Sequence, residues 1–257
     1  PRETQRALRE AVARRGVKLT PEAPTPIGHR LARLVDLVAV PIILLLLTPL
    51  LIVLAPLIAI KLRRLEKANP VIAPRPTVER IEMLSRYEDR DVTNPFSAMG
   101  SIQPGLFRRL LSSFLLWLID WAARHITTRG KLSRVRTIHC ARWIFLDDRH
   151  RLYFASDYDG SHEAYMDDFV NKVAFGLNLS FSHGIGYPKT RWLLWGGARR
   201  EGDYKAFLRH HELPTPVWYK AYPGLTCQDL ARNARIRKGL ESRRDDERTV
   251  RRWLAEI

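Results

Sequence analysis

Hydrophobic and polar positions follow three different rhythms along this chain. Residues 35–60 (VDLVAVPIILLLLTPLLIVLAPLIAI) are almost continuously apolar. As one helix they would cover ~39 Å at 1.5 Å per residue, more than the ~30 Å hydrocarbon layer of a bilayer. The pattern therefore predicts a membrane anchor over 29–67. Pro41, Pro49 and Pro56 each remove an intrahelical hydrogen bond, and Pro49 lies near the middle of the segment. Basic residues flank both ends (His29, Arg30 and Arg33; Lys61, Arg63, Arg64 and Lys67), so charge sets no clear orientation. A tilted spanning helix and a re-entrant hairpin turning near Thr48 and Pro49 both fit. The apolar run is too long, and lacks the cleavage site, for a secretory signal.

The second rhythm occupies 106–126 (LFRRLLSSFLLWLIDWAARHI). Arg109, Ser113, Asp120 and Arg124 fall on one narrow helical stripe, and Leu, Ile, Phe and Trp fill the rest. Over 106–130 this predicts an amphipathic helix in the membrane interface, with Trp117 and Trp121 one turn apart at headgroup depth. A helix packed on the soluble domain has the same pattern. Residues 68–105 between anchor and helix read as an irregular, proline-spaced connector.

From Arg136 onward short alternating elements take over. RTIHCARWIFL and RLYFAS are β-rich runs split by the turn DDRH, which predicts a hairpin. Ser161 offers an N-cap for a helix burying Tyr165, Phe169, Val170, Val173 and Leu177. A strand at 191–196, a short helix at 203–211, a strand at 216–222 and a long helix opening on the capping box Thr226-x-x-Asp229 follow. Strands interleaved with helices over 131–257 predict an α+β, ferredoxin-like two-layer sandwich. Its uncovered face is expected to be aromatic and charged, since Trp143, Trp192, Trp195, Trp218, Tyr219 and Tyr222 all lie on predicted strands beside His139, Arg142 and Arg191. At the other end, residues 1–28 read as the tail of a helix followed by the linker TPEAPTP at 20–26.

Charge changes this picture by demanding an acidic partner surface. Lys and Arg outnumber Asp and Glu by 43 to 27, a formal net charge of +16. Beside an anchor, anionic lipid headgroups are the economical partner and nucleic acid is not the expected one. Nine Lys or Arg against four acids over 232–252 read as a solvated helix face. The two cysteines, Cys140 and Cys227, form neither a disulfide framework nor a zinc spacing, and fit a reducing compartment.

Motifs for chemistry are sparse. Asp157-Tyr158-Asp159-Gly160-Ser161 resembles the nucleophile loop of haloacid-dehalogenase-type phosphatases, but the later Lys and acidic pair of that chemistry have no match. Its glycine is misplaced for a helix-loop-helix calcium site. The plain reading is a strand end, a turn and a helix cap. The histidines His139, His150, His162, His183, His210 and His211 show no i, i+4 pair on a predicted helix, so no metalloprotease-type zinc motif is present. His139 shares a predicted strand face with Ala141, Trp143 and Phe145, opposite Cys140, Arg142 and Ile144. His183, in SHGIGYPK, reads as a ligand-facing loop residue.

Taken together, IHCARWIFLDD, LYFASDYDGSHEAYMDDFV, GYPKTRWLLWGGA and LPTPVWYKAYPGLTCQDLARNARIRKGL, with the anchor region, resemble a poorly characterised group of bacterial membrane-associated proteins. That group occurs alongside haem peroxidases or catalase-like lipid-oxidising enzymes. The resemblance implies two ferredoxin-like units of the dimeric α/β-barrel type flanking the hydrophobic segment. This chain would hold the anchor and the second unit, and 1–17 would close the first unit's last helix. The matching positions are His139, Arg142, Tyr158, Asp159, Gly160, Arg191, Trp218, Tyr219, Asn233 and Arg235; no catalytic set comes with them. The group has Ser-Asn-Tyr-Asp-Gly where this chain has Asp157 in second place, a further argument against an attacking carboxylate.

Two functions are then expected to compete. One is an accessory protein of the bacterial cytoplasmic membrane, its soluble domain on the cytoplasmic face, presenting a lipid-derived or haem-like ligand to a partner oxidoreductase. The other is a haem-dependent peroxidase or monooxygenase-like enzyme, with His139 or His183 as axial ligand and Arg142 or Arg191 as the distal charge. For either, the candidate ligand-binding residues are His139, Arg142, Tyr158, Asp159, His183, Arg191, Trp218 and Tyr219, placed where the hairpin, the His183 loop and the Arg191 strand meet. Self-association or a second ferredoxin-like unit is the expected partner besides lipid.

Overall fold

A computed structural model describes residues 1–17, 23–68, 73–126, 135–242 and 246–257. The start of the expected linker (20–22), the start of the connector (69–72), the end of the expected interfacial helix with the residues after it (127–134) and part of the expected final helix (243–245) lie outside the described residues. The chain is mixed α/β, with nine α-helices and a small antiparallel sheet among the described residues. It divides into two compact units, Pro1–Val40 with Leu225–Ile257, and Pro41–Gly224.

The first unit is helical. Helix α1 (Arg2–Arg14) bonds through Gln5 Nε2 to the Gly239 carbonyl at 2.8 Å, on helix α8 (Cys227–Glu241). The expected capping box is formed, as the Thr226 side chain accepts the Asp229 N–H and the Asp229 carboxylate accepts the Thr226 N–H. The final helix is broken, however. A second piece, α9 (Glu247–Leu254), opens on an Asp246 cap and folds Trp253 back so that its indole N–H donates to the Ile236 carbonyl at 2.9 Å. Gly239 is required there, because a Cβ would lie 2.1 Å from Trp253 Nε1.

Helices α2 (Ile27–Leu46) and α3 (Thr48–Ala68) carry the expected anchor and are bent by 71° at Leu47. Among the described residues no single helix is long and apolar enough to cross a membrane. Pro49 explains the break: its ring clashes with the preceding turn and ends α2, whereas in the first turn of α3 its missing N–H costs nothing. Pro41 and Pro56 remain inside helices. A bend of 71° is neither a straight spanning helix nor a closed hairpin.

The second unit is organised by a sheet of order β1-β3-β2, formed by β1 (Thr93–Ser101), β2 (Ile138–Leu146) and β3 (Arg151–Asp159), all antiparallel neighbours. The predicted β2–β3 hairpin is present. Strand β1 comes from the stretch expected to be irregular, and pairs Phe96 with Ser156 and Ala98 with Phe154. Helix α4 (Val78–Ser85), capped by Thr77, precedes β1. Helix α5 (Leu106–His125) links β1 to β2, and α6 (His162–Phe181) follows β3. Ser161 caps α6 as expected, and Tyr165, Phe169 and Leu177 are buried beneath it. Phe96, Phe154, Tyr158, Tyr165, Phe169 and Phe181 form the aromatic centre of the core.

Two predicted strands are corrected. The 191–196 stretch is a tight excursion with only the two-residue strands β4 (Thr190–Arg191) and β5 (Trp195–Gly196). The 216–222 stretch forms no ladder, since Pro214, Pro216 and Pro223 deny it regular hydrogen bonding. The last helix of this unit, α7 (Glu201–His211), lies close to its expected position.

Candidate functional site

Two surfaces carry the features a functional role needs, and both grow out of how α3, α5 and the sheet are built. The first is apolar. Along α2 and α3 the aliphatic side chains point outward, with Leu46 at 73 % and Ile52 at 68 % exposure. Val40 of α2 and the basic end of α3 are buried. Leu62 packs with Leu115 of α5 and with Leu193, while the buried Glu66 carboxylate accepts from Thr190 Oγ1 at 2.9 Å, Trp192 N at 2.9 Å and Leu193 N at 3.0 Å. Trp192 and Leu193 both have positive φ (60° and 57°), a paired left-handed turn whose consecutive N–H groups form an anion-binding nest.

Helix α5 is inside out. Its buried face holds Arg108, Ser112 and Leu115, and its exposed face holds Leu106, Leu110, Phe114 and Trp117, with Phe114 stacked on Trp117 at 5.9 Å. Trp121 is half-buried and tilted against His125. Burial drives the Arg108 guanidinium below its ordinary range, and its Nε and Nη1 find no hydrogen-bond partner among the described residues.

The second surface is the outer face of the sheet. A β-bulge between Ile138 and Cys140 breaks strict alternation and turns His139 away from Ala141 and Trp143 onto the face of Cys140 and Arg142. There His139 Nε2 meets Asp159 Oδ1 at 2.6 Å, and Thr93 Oγ1 donates to the same oxygen at 3.2 Å. Cys140 Sγ donates to Asp157 Oδ2 at 2.9 Å. Partial burial, with that carboxylate alongside, pushes the thiol up to about 11, so it is protonated rather than nucleophilic at neutral pH. Arg142 is exposed on this face. The expected aromatic character is corrected. Trp143 faces the core against Phe154 and Phe181, and the outer face is polar, with Ser97 and Tyr153 hydroxyls at 3.0 Å.

The predicted site residues do not meet at one place. His139, Arg142 and Asp159 share the outer face. Tyr158, their neighbour, points the other way, fully buried and stacked on Tyr165 at 4.1 Å. Asp159 precedes α6 and His183 follows it, at opposite ends of a 20-residue helix that is kinked at Val173. His183 is enclosed rather than ligand-facing, and burial, then the Arg108 charge, holds its imidazole down to about 3. Arg191 is exposed on β4. Trp218 is half-buried under Lys220 at 4.7 Å, and Tyr219 is 86 % exposed on the unladdered segment. Pro49 sits at the anchor's bend. A shallow cleft of about 320 Å³ is lined by Met99, Gly100, Ser101, Arg151, Ile185 and His211; neither His139 nor His183 lines it.

Thr93, Glu66 and Arg108 escaped sequence reasoning. Glu66 carried a signal, as an acid closing an apolar helix among four basic residues, but its partners lie more than 120 residues away. Comparison of the chain with models of protein families, with curated proteins and with solved structures finds no match.

Proposed function

We propose that this chain is a membrane-anchored binding protein, held in the bilayer by the bent α2–α3 pair and α5, that presents a ligand to a partner from the polar outer face of its sheet. The observation that carries the reading is the outward-facing apolar surface of α2 and α3. Apolar side chains are exposed along both helices, and contiguous apolar patches larger than a few hundred Å² are rare on the free surface of soluble monomers. The inverted polarity of α5 supports the same membrane plane, because Leu110, Phe114 and Trp117 gain by burial in acyl chains. Lys61, Arg63, Arg64 and Lys67 follow the apolar run and suit anionic headgroups.

The reading extends to a ferredoxin-like unit. What supports it is the order β1-β3-β2 with α5 crossing between β1 and β2, together with the Ala98–Glu212 bridge and the Leu213 N–H to Ser97 carbonyl bond on the outer edge of β1, where a fourth strand would add. The ligand is lipid-derived or haem-like and the partner an oxidoreductase, on the resemblance of the chain's phrases. The haem-enzyme alternative has less support, because His183 is enclosed and His139 Nε2 is taken by Asp159. The soluble unit belongs on the cytoplasmic face of a bacterial membrane.

Fractionation of cells expressing the full chain tests the anchor. Carbonate-resistant membrane association is expected, and full release by high salt or carbonate refutes it. A reporter fused after Ile257 tests sidedness: activity from a periplasm-dependent reporter sinks the cytoplasmic placement. Lipid or chromophore analysis of the purified protein tests the ligand, and a Soret band in stoichiometric amount would restore the haem reading.

A further inference from the structure

His162 opens α6 with its side chain 3 % exposed, and neither ring nitrogen has a hydrogen-bond partner among the described residues. A neutral imidazole offers one N–H and one lone pair, and enclosing both unmade is costly. The ring packs against Phe96 and edge-on to Tyr158, and the polar groups nearest its nitrogens are carboxylates. Glu212 Oε2 lies 3.6 Å from His162 Nε2, beyond hydrogen-bond reach, and His162, Glu88 and Glu212 each place a ligand atom within 4.8 Å of the others. The hydroxyl of Tyr158 is enclosed beside them, within reach of the Glu88, Asp89 and Glu212 charges, and also has no hydrogen-bond partner among the described residues.

The neighbouring cations do not complete this cluster. Arg209 Nη1 donates to Glu88 and, at 3.2 Å, to Glu212. Arg80 donates to the backbone carbonyls of Arg209, His210 and Glu212. Asp89 accepts the His162 backbone N–H at 2.7 Å. Two enclosed carboxylates, those of Glu88 and Glu212, thus stand beside the ring, with the exposed Asp89 and two guanidiniums around them.

We propose that Glu88, His162 and Glu212 are the protein ligands of a divalent cation of the zinc type, with the Tyr158 hydroxyl beside the fourth position. Metal–ligand bonds of about 2.0–2.2 Å in a tetrahedron set ligand atoms about 3.3–3.6 Å apart, matching the 3.6 Å between His162 and Glu212. One imidazole and two carboxylates suit zinc or manganese better than the all-oxygen shell preferred by calcium or magnesium. The ion would join three elements: Glu88 in the connection before β1, His162 at the start of α6, and Glu212 at the end of α7 on the edge of β1. It would therefore tighten the unit as well as satisfy the ring.

Zinc content and affinity of the full chain, purified in detergent and dialysed against Zn²⁺, provide the test. About one tightly held zinc per chain is expected, with nitrogen and oxygen but no sulfur ligands in its X-ray absorption spectrum. His162→Gln and Glu212→Gln should each weaken zinc binding about tenfold or more, while His150→Gln leaves it unchanged. Absence of stoichiometric zinc overturns the site, as does a zinc–sulfur distance of about 2.3 Å or affinity unaltered in both variants. Should the two variants fail to fold, the unmodified chain decides. Sulfur-free zinc whose removal by EDTA lowers the melting temperature supports the site, and a melting temperature indifferent to zinc overturns it.

Discussion

The carboxylate of Glu66, near the end of α3, accepts the backbone N–H of Leu193 at 3.0 Å, 127 residues further along the chain. The same carboxylate takes Trp192 N and Thr190 Oγ1, so one side chain holds the left-handed turn at 192–193 and fastens the apolar helix to the α/β unit. Replacing Glu66 by Ala leaves these donors buried and unpaired. The expected loss is about 3–5 kcal/mol, with Arg63→Ala costing far less because that side chain is 30 % exposed. Urea unfolding in mild detergent, followed by tryptophan fluorescence, measures both.

Helix α5 should bind membranes without the anchor. Deleting residues 35–60 is expected to leave a protein on anionic vesicles that salt or carbonate releases, because Leu110, Phe114 and Trp117 still face outward. Adding Phe114→Glu and Trp117→Glu should abolish that binding. A deleted form already soluble at low salt would place α5 against protein rather than lipid.

Stability should fall in acid through His183. Its folded-state imidazole is held down to about 3 by burial and then by the Arg108 guanidinium, against an ordinary value of 6.5. The unfolded chain therefore binds the extra proton, and stability complete above about pH 6.5 falls by roughly 1.4 kcal/mol per unit below it. His211, lowered chiefly by burial, acts in the same direction. A His183→Phe variant should flatten the slope between pH 6 and pH 4 in a denaturation series, and an unchanged slope assigns the effect elsewhere.

Arg142 and Arg191 separate the two places that sequence reasoning had joined. Both are exposed, so Arg142→Ala and Arg191→Ala should each leave stability within about 0.5 kcal/mol. Only Arg142 shares the outer sheet face with His139 and Asp159, so only its loss should weaken partner or ligand capture in a pull-down from solubilised membranes.

Elements whose information is local were legible. The β2–β3 hairpin, the Ser161 cap and the Thr226 capping box each depend on residues a few positions apart, whereas at Pro49 the sequence left a tilted helix and a hairpin open and the structure bends by 71°. Strand β1 was not legible, because Asn94, Pro95, Met99 and Gly100 are poor strand formers and the strand exists by pairing with β3 across about 60 residues. The reverse error at 216–222 has the same origin. Val217, Trp218 and Tyr219 favour strands, but no ladder partner meets them and prolines border the run.

What the amino-acid order determined alone was the division into a long apolar run, an amphipathic helix and a mixed α/β region. Those follow from periodicity, which acts at short range. Tertiary structure alone decided which polar groups meet. A single bulge turned His139 onto Asp159, the left-handed turn at Trp192 and Leu193 captured Glu66, and three elements distant in sequence enclosed His162 between Glu88 and Glu212. Each of these depends on register and close packing, where a shift of one residue sends a side chain to the opposite face.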